Sequence, residues 1–473
     1  MQQRNQSLDA LRGYAILTMI LSGSIAFGDT LPAWMYHAQV PPPEHKFVET
    51  VVGITWVDLV FPFFLFSMGA AIPLALNRQV KNGSSFFTVL FIAVRRFLLL
   101  AFFALFTEHM KAWAIAEKPM VRENILSMFA FALLFFQFYE NKKEQYKKLF
   151  VGLKILSFIM AIALLYFLRF RGEAFSFTKS DIIIIVLANM AFFGTIIWWF
   201  TKNNMLLRIG ILPFVMAVFL ASKETGDGWV KELFNFSHIG MFEFNWLYQF
   251  YFLKYLFIII PGTIAGDYLI QNNNTNSLTT KINTGKNFTF PISFISVALV
   301  VTNTIFLFTR QLAINLVFSV SLLATLFYFL NKVRTDKNDL LMKFFSAGAY
   351  LLLLGLFFES YEGGIRKDHS THSYYFVTSG LAFFMLIAFS SLAQFKIGAA
   401  LNNYLSLNGR NPMLAYVAGS LLLMPILQLT GFNTVFDSMN SNAWLGFLKG
   451  IMFTGIVSLI TIFCTKRGWF WKT

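Results

Sequence analysis

The sequence predicts an all-α, polytopic membrane protein: a helical bundle of about 14 spans, roughly 12–14, with both termini cytoplasmic. Three observations carry this. First, 57% of the 473 residues are hydrophobic and 18% aromatic, and only 13% are charged, whereas a soluble domain holds nearer a quarter charged residues. Second, apolar runs long enough to cross a bilayer recur from end to end, and the polar gaps between them are about 30 residues or shorter, which leaves no room for a soluble domain. Third, the net charge of +15 falls in alternate gaps. That pattern is the positive-inside bias of a membrane protein and not the basic face of a nucleic-acid binder. The single cysteine, Cys464, excludes disulfides and argues against redox chemistry.

In chain order, the apolar runs lie near 10–28, 55–76, 95–108, 122–139, 149–168, 181–201, 205–221, 247–268, 290–309, 311–331, 343–359, 374–393, 411–430 and 443–464. No small-residue cleavage site follows the first, so it reads as a retained span and not as a signal peptide. Ser7 is its expected helix cap, with Asp9 in the first turn. With the N-terminus inside, the inner loops collect Arg78, Lys81, Arg95, Arg96, "ENKKEQYKK", Arg208, Lys281, Lys286, "NKVRTDKNDLLMK" and the tail "KRGWFWKT". The outer loops are mixed or acidic, apart from the basic 169–181. Residues 271–287 read as a flexible inner connector. Pro62, Pro73, Pro213, Pro261 and Pro425 inside spans predict kinks that neighbouring helices accommodate. The whole chain, 1–473, is expected to form a single transmembrane domain.

Chemistry-bearing residues gather near the span ends. "WMYHAQVPPPEH" (34–45) is extracytoplasmic in this topology. Three prolines predict an extended, polyproline-like segment that holds His37 close to the membrane face. A neutral imidazole there suits proton transfer near pH 7, and the alternative is a packing histidine. Asp58 sits near the outer end of an otherwise uncharged span. It should face the bundle interior with a partner, in a catalytic or a structural role. Pro62 follows it at i+4, and Gly69, Ala70 and Ala71 permit close helix packing. Asp9 and Arg12 share a face at the inner surface, as an anchoring ion pair or an anion-docking point. Glu359, Glu362, Lys367, Asp368, His369 and His372 crowd a second outer loop. Arg410 and Asn411 lie at the mouth of a late span. Such loops usually just solvate span ends, and equally the two, together with His37, could line a polar substrate pocket. No metal site is expected: His37 and His45, eight residues apart across prolines, match no ligand spacing. Phosphate-binding glycine loops, CxxC and HExxH are absent.

"SLDALRGYAILTMIL", the Trp- and His-containing outer loop and "GITWVDLVFPFFLFSMGAAI" together resemble the transmembrane acyltransferase family of heparan-alpha-glucosaminide N-acetyltransferase, in particular its bacterial members. The family pattern falls on Asp9, Arg12, Gly13, His37, Asp58, Pro62, Phe64, Phe66, Met68 and Gly69. "VRENILSMFAF", "KDHSTHSYYFVTSGLAFF" and "NGRNPMLAYV" resemble its later blocks. Gly23 stands where the family has an asparagine, and hairpins near 181–221 and 289–331 look inserted.

The resemblance implies transfer of an acetyl group from cytosolic acetyl-CoA to the amine of a glucosamine-type sugar across the membrane. His37 would be the general base or acetyl carrier and Asp58 its orienting acid. The polyanionic end of CoA would meet Arg12, Arg78, Lys81, Arg95, Arg96 and Arg410. Trp34, Glu359, Lys367, His372 and Asn411 would face the sugar. The expected partners are the lipid bilayer, a small amino sugar or oligosaccharide, and a second copy of the chain as a homodimer; nucleic acid is not one. The expected location is a bacterial inner membrane. The alternative reading is an amino-sugar transporter or permease without catalysis.

Overall fold

A computed structural model of the chain describes residues 5–472, except 142, 223–227, 237, 240–241, 277–287 and 334–338. Most of the expected connector 271–287, with Lys281 and Lys286, lies outside the described residues, as do Arg334 and Lys337. The described part is an all-α, polytopic helical protein. Its only paired strands are His238–Ile239 and Phe242–Glu243. Among the described residues, 12 helices are long and apolar enough to cross a membrane. Each of the fourteen apolar runs is a helix. The two that fall short of those 12, Gln6–Ser22 and Met205–Ala221, have 17 residues each.

The chain folds as two compact units. One comprises residues 1–77, 257–412 and 439–454; the other comprises 78–256, 413–438 and 455–473. In the first unit, helix Gln6–Ser22 is capped by Asn5 and not by Ser7. The Asn5 side chain accepts the Leu8 N–H at 2.9 Å, which satisfies one of the orphan donors of the first turn. This helix packs against Lys396–Gly409, an element the hydropathy pattern does not reveal. Contact is close because both sides are glycine: a Cβ on Gly13 would lie 1.9 Å from the Leu405 carbonyl oxygen, and one on Gly409 would lie 1.9 Å from that of Asp9. Gly69 and Gly262 bring Trp56–Lys81 and Leu256–Asn276 together in the same way, as the small residues at 69–71 predict.

Helix His372–Leu392 is buried almost throughout, and it repairs the proline breaks of its neighbours. Proline has no N–H, so Pro62 leaves the Asp58 carbonyl without its i+4 donor, and Pro261 does the same to Phe257. The Tyr374 hydroxyl donates to the Asp58 carbonyl at 2.7 Å, and the Ser379 hydroxyl to that of Phe257 at 3.1 Å. Tyr374→Phe is therefore expected to cost about 1–3 kcal/mol by orphaning a buried carbonyl. Pro62→Ala, which restores the backbone donor, should suppress most of that loss in the double variant. Thermal melts of the two single variants and the pair decide it, and simple additivity would refute the pairing.

In the second unit, Phe86–Met110 packs against Ile182–Thr201, and Val121–Phe138 against Lys147–Phe167. The first of these begins nine residues earlier than the apolar run near 95–108 suggests, capped by Ser85. Arg95 and Arg96 therefore sit inside a helix and not in an inner loop. The paired arginines had cut the apolar signal. Asp181 caps Ile182–Thr201, accepting the Ile183 and Ile184 N–H groups. It also accepts the Tyr416 hydroxyl at 2.6 Å.

Candidate active site

The candidate site lies in the first unit, at the Asp58 end of helix Trp56–Lys81. The preceding loop is pinned by packing. Met35 and Tyr36 are buried against Ile25, Ala26 and Leu31, and the Tyr36 hydroxyl donates to the Ala26 carbonyl at 2.6 Å. The three prolines form a tight turn and not an extended polyproline segment: the His45 N–H bonds back to the Pro41 carbonyl at 3.1 Å. The His45 ring meets Tyr36 and Phe27 edge-on, and its Nε2 lies 2.9 Å from the Gly28 N–H. It is thus spoken for structurally and shares no ligand site with His37. Among the described residues no group of three His, Cys, Asp or Glu could hold a metal ion.

His37 emerges from this scaffold with its Nδ1 2.7 Å from Asp58 Oδ1. The Asp58 side chain is 2% exposed and that of His37 is 37% exposed, so one end of the pair is fixed and the other is open. The second carboxylate oxygen, Oδ2, accepts the Thr55 N–H at 2.9 Å, the Ala38 N–H at 3.2 Å and the Thr55 hydroxyl at 3.3 Å. The buried carboxylate is therefore fully hydrogen-bonded, as burial requires. A carboxylate can only accept, so Nδ1 carries the proton in the neutral ring and the lone pair falls on Nε2. A general base needs that tautomer.

Lys367 closes the site, with Nζ 3.3 Å from His37 Nδ1 and 3.5 Å from Nε2. Its loop is tied to the first one along its length. Gln39 donates to the Asp368 carbonyl at 3.0 Å and accepts the Asp368 N–H at 2.8 Å. The Gly53 N–H reaches the Ile365 carbonyl at 2.8 Å.

The family model described as "Domain of unknown function (DUF5009)" matches residues 4–269, more than half of the chain. The chain belongs to the DUF5009 family. No curated protein matches it. The matched part of this DUF5009 protein carries Asp9, Arg12, His37 and Asp58, and Lys367 and Arg410 join them from beyond it.

The other expected site residues of the DUF5009 chain have different settings. Trp34 lies in a one-turn helix, half exposed. Glu359 is buried and ion-paired with Arg310, so it faces a structural partner and not a sugar. His372 is also buried. Its Nδ1 meets Glu362 Oε1 at 3.1 Å and its ring lies edge-on to Phe257. Asn411 is fully buried.

Arg12 donates to Asp9 Oδ1 at 3.2 Å, to the Gly409 carbonyl at 3.4 Å and to the Ser67 carbonyl at 3.2 Å. Ser67 is the twelfth of the 26 residues of its helix, so Arg12 meets the middle of Trp56–Lys81 and not its end. Arg410 Nε lies 3.7 Å from Asp9 Oδ2, so Arg12 and Arg410 share one carboxylate. Arg78 and Lys81 are exposed at the C-terminal end of the same helix, and Arg95 and Arg96 sit on Phe86–Met110, in the second unit.

Sequence reading missed Thr55, Gln39 and Tyr374. Only Tyr374 had a signal, the proline four residues after Asp58. Glu362 has a structural task, accepting the N–H groups of His372 and Ser373 at 2.9 Å each and so capping helix His372–Leu392. Burial alone would raise its carboxyl. The His372 side chain and the two backbone donors outweigh that and draw it from 4.5 down to about 2. A carboxyl lowered by folding stabilises the fold above its unfolded pKa, and that contribution is lost as pH falls through the folded value. Acid titration of thermal stability should therefore show a loss between pH 4.5 and about 2. In Glu362→Gln that loss should shrink, and an unchanged acid limb would refute the assignment.

Proposed function

We propose that this protein is a membrane-embedded acyltransferase that moves an acetyl group from acetyl-CoA to the amine of a glucosamine-type sugar. The observation that supports it most is the dyad: an imidazole held through Nδ1 by a buried, fully bonded carboxylate, with Nε2 on the open side. The resemblance to the heparan-alpha-glucosaminide N-acetyltransferase family points the same way.

An amine is protonated at neutral pH and must lose a proton before it can attack a thioester. His37 Nε2 takes that proton, and Asp58 holds the ring and balances the imidazolium that forms. Alternatively, His37 takes the acetyl group itself and passes it on. Lys367 places a cation where negative charge develops on the carbonyl oxygen. Asp58 and Ser67 are nine residues apart on one helix, about 13 Å along its axis at 1.5 Å per residue. A long, slim donor anchored near Arg12 and Arg410 therefore has a span to cover before it reaches His37. Arg12 already serves three acceptors. Arg410, with its side chain 32% exposed, is the better placed to meet an anion. We place the protein in a bacterial inner membrane, with the dyad on the extracytoplasmic side.

The test is binding of acetyl-CoA to the purified protein, followed by label transfer from it to a panel of amino sugars. Binding with transfer that His37→Ala abolishes supports the reading, and transfer that survives His37→Ala ends it.

A transporter for amino sugars is the second reading. One observation favours it: Asp9, Arg12 and Arg410 meet at mid-helix, beside the break between Lys396–Gly409 and the helix that starts at Pro412. Charges in such a position mark substrate paths. Sugar uptake into proteoliposomes, without acetyl transfer, would establish it.

A further inference from the structure

Lys367 raises a question that the acceptor sugar does not answer. Its amine lies beside the imidazole, 3.3 Å from His37 Nδ1 and 3.5 Å from Nε2. Among the described residues it is in no ion pair with a carboxylate of its own loop. Turned from there onto the Nε2 lone pair, the ammonium can hand it a proton, and the amine so formed is a nucleophile.

We propose that Lys367 is a self-acetylation site, modified by activated acetyl esters and thioesters with His37 as the base. His37 Nε2 takes one proton from the Lys367 ammonium. The freed Nζ attacks the donor's carbonyl carbon, forming the C–N bond. The carbonyl carbon's bond to the leaving group then breaks, and the electron pair departs with the thiolate or phenolate. Nζ loses a second proton as the amide forms. Of the two protons released, one is taken up by a thiolate leaving group and the other passes to water. The product amide has no charge and no basic lone pair. It leaves an acetyl group against His37 and removes the cation beside Asp58, so the modified protein is switched off. With acetyl-CoA as donor the inference rests on the reading above. With a simple aryl ester it stands on the geometry alone.

The experiment uses the full chain in detergent with p-nitrophenyl acetate, following acetylation of individual lysines by peptide mass spectrometry. The comparison lysines are Lys46 and Lys179, whose side chains are 79% and 48% exposed. Lys367 is expected to react about tenfold faster than either, a conservative share of what a positioned base supplies. In His37→Gln its rate should drop to theirs. The proposal is overturned if Lys367 reacts no faster than Lys46 and Lys179, or if His37→Gln leaves its rate unchanged. Should that variant fail to fold, the wild-type ratio alone decides. A parallel arm with acetyl-CoA separates the two ideas: labelling by the aryl ester but not by acetyl-CoA supports the modification site and removes acetyl-CoA as the donor.

Discussion

If the protein is the acyltransferase proposed above, Asp58→Asn is expected to cut acetyl transfer by about a hundredfold to ten-thousandfold, through kcat and not through KM. The reason is directional. Oδ2 of Asp58 accepts the Thr55 and Ala38 N–H groups, so an asparagine must keep its oxygen there. Its NH2 then faces His37 Nδ1 and forces that nitrogen to accept. The ring proton moves to Nε2, and the base is lost while the shape is kept. Asp58→Ala does something else: it strands the same backbone donors and should lower the melting temperature as well. Steady-state kinetics of both variants, with melts alongside, separate orientation from folding. An Asp58→Asn enzyme with wild-type kcat would remove the dyad from the mechanism.

The largest stability effect is expected at Gly13. Gly13→Ala drives a methyl group to 1.9 Å from a backbone oxygen, and neither helix can yield without losing its partner. The expected loss is about 3 kcal/mol, the upper end of ordinary overpacking costs. Gly152 is the internal control. It also lies within a helix, but a Cβ there meets nothing within 4 Å, so Gly152→Ala should be neutral or slightly stabilising. Melting curves in detergent test both, and equal behaviour of the two variants would refute the close-packing account.

Helices were legible wherever apolar length carried the signal. All fourteen runs are helices, the state in which a long apolar segment satisfies its backbone groups within itself. Legibility failed where polarity was buried. Lys396–Gly409 contains Asn402, Ser406 and Asn408, all fully buried, and its polar composition reads as a loop until helix Gln6–Ser22 is seen covering it. The Arg95–Arg96 pair erased the first nine residues of a helix from the apolar profile for a related reason: a basic pair reads as a boundary.

Of the site, His37 and Asp58 were legible singly, as a histidine on a constrained loop and an acid at a span end. Their 2.7 Å contact depends on the fold of the loop between them. Lys367 comes from 330 residues further on, and nothing local marks which lysine of the chain returns to that histidine. Glu359 and His372 looked equivalent to it in sequence. Their partners, Arg310 from a distant segment and Glu362 from the same loop, decide otherwise.

Asp58 is tied at both ends, its side chain to His37 and its main chain to Tyr374. Five residues further along the same helix, Ser379 holds Phe257. Axial slip of His372–Leu392 would break two bonds to oxygens that have no replacement donor in their own helices. The imidazole is thereby mechanically geared to the register of the buried helix His372–Leu392, more than 300 residues away in the chain. A ligand or lipid that displaced this helix would reset the orientation of the base without touching it.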